Sequence, residues 1–390
     1  MYDEETIGVV VPAYNEEAHI GSVIETIPAY VDRVYVVDDA STDDTWAVIR
    51  EYARRINSSS ADTDQAGGAS SRPMPGEGGP PAAEVGTDGG FTPRVVSVRH
   101  ETNRGAGAAV KTGYSYALED EMDVVAVMDG DGQMDPDELE RIIKPVVDGD
   151  ATYAKGNRLR SRRDYDGMSR WRLFGNGLLT LLTRVSSGYW ELSDPQNGFT
   201  AISKGGLRAV SFDRLYDQYG FLNDMLQALN INREPIADVP HSAVYANETS
   251  SIKYSTFIPT VSILLARNFV ERLARSYLIR RFHPLVLCYA LGAIVMVTGA
   301  IGGAYAVSSS GIDSFLGGMT SLAVGVLGVL LLILGAWFDV EDNEGLVLGY
   351  DRPNSTDVAA ETEKRVPSAA LPEAVGDGGT STGTPEVDNG

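Results

Sequence analysis

The chain has 390 residues, with 54 acidic and 32 basic side chains and a net charge of −22 at pH 7. This acidic balance argues against a nucleic-acid-binding protein, because such proteins present a basic patch or stripe. The chain has a single cysteine, Cys288, which excludes an intramolecular disulfide. High acidity with only six lysines is typical of a salt-rich, haloarchaeal cytosol, where charge keeps proteins soluble and salt screens the repulsion.

The N-terminal part alternates between short valine-rich runs and helix-like stretches. The runs predict strands at 7–12, 33–38, 95–98 and 124–129, and the stretches between and after them predict helices near 17–27, 45–56, 105–119 and 136–148. This alternation predicts an α/β fold with a mostly parallel sheet and helices on both of its faces. Ligands of such sheets bind beyond the carboxyl ends of the strands.

Residues 57–93 interrupt this alternation. They are rich in Ser, Gly, Pro and acidic residues and poor in apolar ones, which predicts a disordered insertion. After residue 151 the pattern becomes looser. It predicts helices at 168–187, 204–212 and 221–230 and a short strand at 200–203.

Two segments near the other end, within 284–340, carry long runs without a charged residue. A helix needs roughly 20 apolar residues to cross a bilayer, so we predict two transmembrane helices; a buried core hairpin is the alternative. Residues 251–283 mix apolar residues with arginines, as interfacial helices do, although ordinary amphipathic core helices have the same pattern.

The distribution of arginines predicts an orientation. Arg272, Arg275, Arg280 and Arg281 precede the first span, whereas 308–316 contains no Lys or Arg. By the positive-inside rule, the N-terminal part and the acidic, disordered tail predicted at 341–390 lie in the cytoplasm.

The first two predicted strands end in polar residues suited to a nucleoside. Pro12 and Tyr14 can form a flat wall for a base, and Glu16 can accept hydrogen bonds from a base or ribose, although the proline and asparagine of this segment are also common in turns. Asp38 ends the second strand and Asp39 follows it, and both can accept from the same donors, whereas helix capping accounts for the acidic residues after them.

The third and fourth strand ends suit anions and cations respectively. Small residues at 105–109 permit close backbone approach and leave amides free for an anion, although a tight turn explains them equally well. Asp129 and Asp131 are one residue apart, which is costly unless a cation compensates them. Magnesium uses one or two carboxylates together with phosphate oxygens; a solvated acidic loop is the alternative.

In this order the strand ends resemble those of family 2 glycosyltransferases with the GT-A fold, most closely the polyprenyl-phosphate sugar synthases related to dolichol-phosphate mannose synthase. The resemblance covers about 7–245 and rests on residues 12–16, 37–41 and 128–133. It implies a GT-A domain over 1–250. It also implies that Pro12, Tyr14, Glu16 and Asp39 bind the nucleotide. A Mg²⁺ or Mn²⁺ ion and the diphosphate would be bound by Asp129, Gly130, Asp131 and Gln133.

Four later residues inherit roles from the same resemblance. It implies that Arg158 binds a phosphate, that Arg172 lies near the acceptor phosphate, and that Asp194 lies beside the sugar. Asp224 stands where glutamate is more frequent in the family, and the insertion at 57–93 has no family counterpart.

The implied reaction is displacement at the anomeric carbon, with a transition state that resembles an oxocarbenium ion. A divalent ion held by Asp131, with Asp129 and Gln133, would stabilise charge on the departing diphosphate. A lipid phosphate needs no base, whereas a sugar hydroxyl benefits from one. Asp224 is then the candidate base and Asp194 the alternate, although both carboxylates can instead be structural. For Arg158 and Arg172, a surface salt bridge is the alternative to phosphate binding.

We therefore expect a membrane-bound inverting glycosyltransferase that moves a hexose from UDP- or GDP-hexose to polyprenyl (dolichyl) phosphate, in N-glycan or surface glycan assembly. A lipid-linked glycan is the alternative acceptor, and a non-catalytic nucleotide-sugar-binding scaffold is the alternative of another class. We expect no nucleic-acid partner, and the oligomeric state stays open. The four histidines show no metal spacing and are expected at surface or turn positions.

Overall fold

The computed structural model describes residues 1–64, 84–85, 91–158, 170–241, 254–308 and 312–350. Eight strands form one sheet in the order β10-β9-β7-β8-β6-β1-β2-β5, and β3 and β4 form a separate antiparallel pair. The strands are β1 (Ile7–Ala13), β2 (Arg33–Asp38), β3 (Glu84–Val85), β4 (Phe91–Thr92), β5 (Val95–Arg99), β6 (Val124–Val127), β7 (Tyr153–Asn157), β8 (Thr200–Ser203), β9 (Ile236–Pro240) and β10 (Val347–Gly349).

The large sheet is parallel except for β8, which runs antiparallel to both of its neighbours, β6 and β7. The predicted α/β class with a mostly parallel sheet is confirmed. Its helices are α1 (Ile20–Thr26), α2 (Thr45–Asp64), α3 (Ala106–Glu119), α4 (Leu139–Val147), α5 (Arg170–Ser187), α6 (Lys204–Ala209), α7 (Phe221–Ile231), α8 (Tyr254–Ala274), α9 (Leu285–Ser308) and α10 (Ile312–Asp342).

Helices cover both faces because successive side chains of a strand point to opposite sides. In β1, Val9 and Val11 belong to one apolar core and Val10 to the other. The first core includes side chains of α1 and α4, and the second includes side chains of α3 and α7. The strands are therefore buried on both faces, which is why they are continuous apolar runs in the sequence.

The predicted insertion begins later than expected. Helix α2 continues to Asp64, past the predicted start at 57. The side-chain amide of Asn57 hydrogen-bonds to the backbone of β5. Its Nδ2 donates to the Val95 carbonyl and its Oδ1 accepts from the Val95 amide, both at 2.9 Å. The short strands β3 and β4 also lie within the predicted insertion, whereas 65–83 and 86–90 lie outside the described residues.

Helices α9 and α10 form the predicted apolar hairpin. Their segments Leu285–Ser308 and Ser314–Asp342 have mean hydropathies of 2.2 and 2.4 and are long enough to cross a membrane. Their outer side chains are exposed in the chain alone, including Leu291 and Leu322, so a buried core hairpin is excluded. The helices approach closely at Gly299, where an added Cβ would lie 2.5 Å from the Gly325 nitrogen. Small residues allow such packing between membrane helices.

The tail predicted from 341 also begins later. Helix α10 ends at Asp342, and after a turn β10 pairs parallel with β9, Val347 opposite Ile236. Val347 is buried in the second core, which is the physical reason that this short segment is ordered. Residues 351–390 lie outside the described part of the chain. The predicted interfacial region forms α8 and a short π-helix, Arg275–Arg280.

Candidate functional site

Backbone hydrogen bonds join the carboxyl ends of four neighbouring strands. The Gly130 amide donates to the Pro12 carbonyl at 3.1 Å, and the Asp39 amide donates to the Ala13 carbonyl at 2.9 Å. His100, just after β5, donates its amide to the Asp38 carbonyl at 2.9 Å. The strand ends that carry the predicted nucleotide and metal residues therefore lie side by side along one edge.

The first and second loops are fastened to each other. Asn15 has a left-handed backbone, with φ of 58°. Its amide donates to Ser41 Oγ at 2.9 Å, and its Oδ1 accepts from the Thr42 amide at 2.8 Å. The Glu16 amide donates to Thr45 Oγ1 at 2.7 Å. These bonds leave Tyr14 45% exposed at the edge, where its ring can take a base.

Asp39 is buried and organises the third loop. Its carboxylate accepts hydrogen bonds from the Arg104 amide at 2.9 Å and the Gly105 amide at 2.6 Å, and lies 2.6 Å from His100 Nδ1. Gly105 has φ of 101° and no room for a side chain, since an added Cβ would lie 2.6 Å from the Asp217 carbonyl. The third loop is therefore the tight turn of the alternative interpretation, and its Gly105 amide is engaged by Asp39.

Asp129 and Asp131 follow β6 in a loop that turns at Gly132, where φ is 73°. Burial and, next, the negative charge of Asp131 raise the pKa of Asp129 to about 7. Asp131 Oδ1 accepts from the Gln133 amide at 3.0 Å. An added Cβ at Gly198 would lie 2.8 Å from Asp129 Oδ2, so the loop before β8 packs directly on this carboxylate.

These oxygen donors fit a divalent cation whose remaining ligands come from the substrate. In the described ranges, no group of three or more His, Cys, Asp or Glu side chains is close enough to hold a metal by itself. Two neighbouring carboxylates that repel each other, with a glutamine beside them, suit Mg²⁺ or Mn²⁺ if phosphate oxygens and waters supply the remaining ligands. The assignment of Asp129, Asp131 and Gln133 as metal ligands stays a prediction.

Arg158 and Asp194 are brought together at the end of β7. Arg158 donates through Nε to Asp194 Oδ2 at 2.8 Å and through Nη2 to Oδ1 at 3.3 Å, which makes a bidentate ion pair. Asp194 is buried, whereas the Arg158 side chain is 37% exposed. The ion pair fixes the arginine at the edge of the site and leaves part of it accessible to a phosphate.

Lys155 was not predicted as a functional residue. It is fully buried, and its Nζ donates to the Asn197 carbonyl. Burial lowers the pKa of this lysine to about 7, against the opposing effect of Asp194. No local sequence signal marks a lysine in a short strand as buried, because the pattern around it contains small and polar residues.

His241 is also part of this buried group. Asn197 Nδ2 lies 2.6 Å from His241 Nε2, and the imidazole packs edge-on against Phe199 at 5.4 Å between ring centroids. His241 and His100 are both buried, so the expected surface position is wrong for them, and each directly follows a strand. Lys155 and His241 together hold the loop whose Gly198 covers Asp129.

Asp224 is held by a different part of the fold. Its Oδ2 accepts from the Tyr216 amide at 2.9 Å, and its Oδ1 accepts from Asn268 Nδ2 of α8 at 2.6 Å. Burial raises the pKa of this carboxyl. These partners are those expected of a structural carboxylate, and its role as a base stays a prediction. Arg172 lies in α5, but its side chain is outside the described residues.

Most of the predicted site residues lie in a region that matches a known protein family. The profile of glycosyl transferase family 2 matches residues 8–70 and 83–210. This region contains every predicted site residue except Asp224.

Individual relatives are similar over most of their own length. UDP-N-acetylglucosamine–dolichyl-phosphate N-acetylglucosaminyltransferase of Methanococcus voltae is 26% identical over 243 residues, which is 62% of this chain and 87% of that protein. Undecaprenyl-phosphate mannosyltransferase of Micrococcus luteus is 28% identical over 232 residues, 55% of this chain and 74% of that protein. Among solved structures, glucosyl-3-phosphoglycerate synthase of Mycobacterium tuberculosis with Mn²⁺ and UDP aligns at 20% identity and a TM-score of 0.44, covering 69% of this chain and 80% of that one.

Proposed function

Because the chain belongs to glycosyltransferase family 2, we propose that it moves a hexose from a UDP- or GDP-sugar to a polyprenyl (dolichyl) phosphate at the cell membrane. One observation carries this proposal: the strand ends that present Tyr14, Asp129 and Asp131 are bonded into a single edge, in a chain that also holds an apolar helical hairpin. The catalytic domain would lie on the cytoplasmic side, in N-glycan or surface glycan assembly.

The names of the relatives support the acceptor. One is named for transfer to dolichyl phosphate and another for transfer to undecaprenyl phosphate. Both acceptors are long isoprenoid phosphates that stay in a bilayer. A chain with two helices long and apolar enough to cross a membrane can meet such a substrate at the membrane surface.

The residues of the edge divide the work of donor binding. Tyr14 offers a ring face to the base, and Glu16 accepts from base or ribose. Asp39 acts on the nucleotide through the loop that it holds, since its carboxylate already has protein donors. Asp129, Asp131 and Gln133 would hold a Mg²⁺ or Mn²⁺ ion, which supplies positive charge to the departing diphosphate when bound.

Arg158 provides a fixed positive charge close enough to act on Asp129. Its guanidinium is oriented by the bidentate bond to Asp194, and its exposed part can bind a phosphate oxygen of the donor or acceptor. Planar guanidinium groups suit phosphates because they donate two parallel hydrogen bonds.

The carboxylates favour a phosphate acceptor over a sugar hydroxyl. A hydroxyl acceptor benefits from a base, yet Asp194 is paired with Arg158 and Asp224 accepts from Tyr216 and Asn268. A lipid phosphate is already an anion and needs only to be positioned. The raised pKa of Asp224 is the observation that favours a lipid-linked glycan as the second candidate acceptor.

The test is transfer by the full chain in lipid nanodiscs. It would be incubated with Mg²⁺, labelled UDP- and GDP-hexoses and a polyprenyl phosphate, and the lipid product identified by mass spectrometry. We expect a hexosyl phosphate lipid. Binding of a nucleotide sugar without transfer or hydrolysis would contradict the proposal and favour a scaffold.

Asp131→Ala should abolish metal-dependent transfer, with a loss of roughly 10²-fold or more, because the charge on the leaving diphosphate loses its counter-ion. Asp137→Ala, which removes an exposed acid just beyond the same loop, is the matched control and should retain activity. Membrane insertion of both variants should match that of the unaltered chain. Full activity of Asp131→Ala would contradict the metal assignment.

A further inference from the structure

Gly198 lies between two residues that are both fixed to β7. On one side, Lys155 Nζ donates to the Asn197 carbonyl. On the other side, the Gly156 amide donates to the Phe199 carbonyl at 2.8 Å. The side chains of Lys155, Asn197 and Phe199 are all buried. A shift of the Gly198 backbone would therefore break a buried hydrogen bond to the strand.

The hydrogen bonds of the Asn197 side chain assign the tautomer of His241. Asn197 Oδ1 accepts from the Phe199 amide at 3.0 Å, which leaves Nδ2 facing His241 Nε2 at 2.6 Å. Because an amide nitrogen can only donate, His241 Nε2 must be the acceptor of this bond. His241 is therefore the neutral imidazole with its proton on Nδ1, and Asn197 donates to it.

The contact between Asn197 and His241 packs on the sheet without spare room. An added Cβ at Gly156 of β7 would lie 2.7 Å from His241 Cδ2 and 2.8 Å from Asn197 Nδ2. His241 directly follows β9, and its amide donates to the Asn157 carbonyl of β7 at 3.1 Å. Since β7 and β9 are paired strands, the position of Asn197 is set by the sheet itself and not by the loop that contains it.

Gly198 also packs on a carboxylate of the predicted metal site. An added Cβ at Gly198 would lie 2.8 Å from Asp129 Oδ2 and 3.4 Å from its Oδ1. Asp129 is close enough to Asp131 for their charges to repel, and rotation of the Asp129 carboxylate would relieve this repulsion. A backbone packed against both oxygens limits that rotation. The carboxylate then keeps an orientation in which a cation relieves the repulsion instead.

We propose that Asn197 is a positioning residue, which seats Gly198 on Asp129 and thereby strengthens the binding of a divalent cation. Lys155 and His241 support it, as the donor to its carbonyl and the acceptor of its side-chain amide. This inference rests on the metal site in the proposed function. Asn197 is not assigned as a ligand of the metal or of the substrate, and it acts through its neighbour in the chain.

The test measures Mn²⁺ binding by the full chain in nanodiscs, with UDP and, separately, with GDP. Electron paramagnetic resonance follows the free Mn²⁺, so the readout requires no transfer reaction. We expect Asn197→Ala to raise the Kd of Mn²⁺ by roughly 10-fold or more, the usual effect of losing a residue that orients a metal ligand. An unchanged Kd in this variant would overturn the inference.

Two variants at His241 test the hydrogen bond itself. A glutamine can present Oε1 to Asn197 Nδ2, whereas a leucine occupies similar space without an acceptor. His241→Gln should therefore keep a Kd close to that of the unaltered chain, and His241→Leu should raise the Kd as Asn197→Ala does. Equal Kd values for the two His241 variants would contradict the role of this bond, even if Asn197→Ala failed to fold.

Asn230→Ala is the matched control for a general loss of stability. Asn230 is also a buried asparagine, and its Nδ2 donates to Asn343 Oδ1 at 2.9 Å, in a contact between α7 and the turn after α10. This variant should have a lowered unfolding temperature, comparable with that of Asn197→Ala, and an unchanged Kd of Mn²⁺. A rise of the Kd as large as that in Asn197→Ala would attribute both effects to stability and overturn the inference.

Hydrogen exchange of residues 194–199 in the metal-free chain separates the inference from the proposed function. The Phe199 amide should exchange faster in Asn197→Ala, because its acceptor Oδ1 is lost. Faster exchange with an unchanged Kd of Mn²⁺ overturns the inference and leaves the proposed function intact. If the unaltered chain binds no Mn²⁺ with either nucleotide, the metal site of the proposed function is wrong, and the inference is overturned with it.

Discussion

Individual carboxylates of the site are held in different ways, and this difference decides what each can bind. Asp39 accepts from two backbone amides, and Asp194 accepts from a guanidinium. Asp129 instead faces Asp131, and its pKa rises to about 7. A carboxylate whose charge is opposed by burial and by a like charge gains most from a cation, which is why we propose this pair as the metal position.

The ion pair between Arg158 and Asp194 predicts a strongly non-additive effect of mutation. Arg158→Met and Asp194→Asn should each lower kcat/KM for transfer by roughly 10–100-fold, because each leaves the other poorly oriented. The double variant should lose little more than either single one. The measurement is a double-mutant cycle on kcat/KM. Additive losses, together with disappearance of the acidic limb of the pH–rate profile in Asp194→Asn alone, would instead identify Asp194 as a base.

We predict that Asp224 stabilises the fold and does not act as a catalytic base. In Asp224→Asn, one of the donors from Tyr216 and Asn268 faces an amide NH₂, and such an unpaired buried group costs about 1–3 kcal/mol. We expect a lower unfolding temperature with little change in the pH dependence of transfer. Asn268→Ala removes the partner alone and should have the same effect. A 10²–10⁴-fold drop in kcat of Asp224→Asn at unchanged stability would identify a base instead.

From the lowered pKa of Lys155 we predict that the free energy of unfolding rises with pH. Its folded pKa of about 7 lies below its ordinary value of 10.5. Below pH 7 both states carry the proton, and the cost of burying the charge is complete. Between about pH 7 and 10 the unfolded chain holds more protons, so the free energy of unfolding rises. The gain is at most about 5 kcal/mol at 1.36 kcal/mol per unit.

The matched variants are Lys155→Met and Lys204→Met, and the measurement is thermal unfolding of the full chain in detergent at a series of pH values. Lys155→Met should lack the rise between pH 7 and 10. Lys204→Met removes a partly exposed lysine and should keep it. Parallel curves for wild type and Lys155→Met would contradict this prediction.

Sequence patterns located the loop residues of this site well and its buried polar residues poorly. Tyr14, Asp129 and Asp131 follow long apolar strands, so their position at the sheet edge could be predicted. Lys155 and His241 both contact Asn197, which lies 42 and 44 positions away from them in the sequence. Such contacts leave no local pattern, and therefore no local prediction was possible.

At the scale of elements, the buried ion pair between Arg272 and Asp339 joins α8 to the end of α10. Both side chains are fully buried. Arg272→Met or Asp339→Leu should each lower the free energy of unfolding by about 3–5 kcal/mol, because either leaves an uncompensated buried charge. The double variant should regain most of this loss, as judged by thermal unfolding in detergent. Equal or larger destabilisation in the double variant would contradict the prediction.

Elements also differ in how well the sequence predicted them. β1, β2 and β6 are valine-rich runs buried on both faces, and their positions were predicted closely. β7 and β9 contain Lys155 and Asp238 within short runs and were not predicted. β10 has three residues in an acidic region. Its pairing with β9 depends on distant contacts and not on its own composition.

At the scale of the whole molecule, the arginines before α9 predict the orientation in the membrane. In a Cys288→Ala chain, Ser309→Cys lies between the spans and should react with a membrane-impermeant maleimide on intact cells. Arg54→Cys in the N-terminal domain should react only after the cells are opened. The reverse labelling would place the domain outside and contradict the positive-inside assignment. The salt-rich cytosol inferred from the acidic composition stays a prediction.

The place of β10 in the chain has a consequence for biogenesis. This strand follows the hairpin in sequence, yet it lies beside β9, which precedes it. During synthesis, the edge of β9 stays unpaired until both apolar helices have left the ribosome. An open edge strand is a template for aggregation. Insertion of the hairpin next to the translating ribosome would keep nascent chains apart during this interval, so we expect the membrane to protect the unfinished sheet.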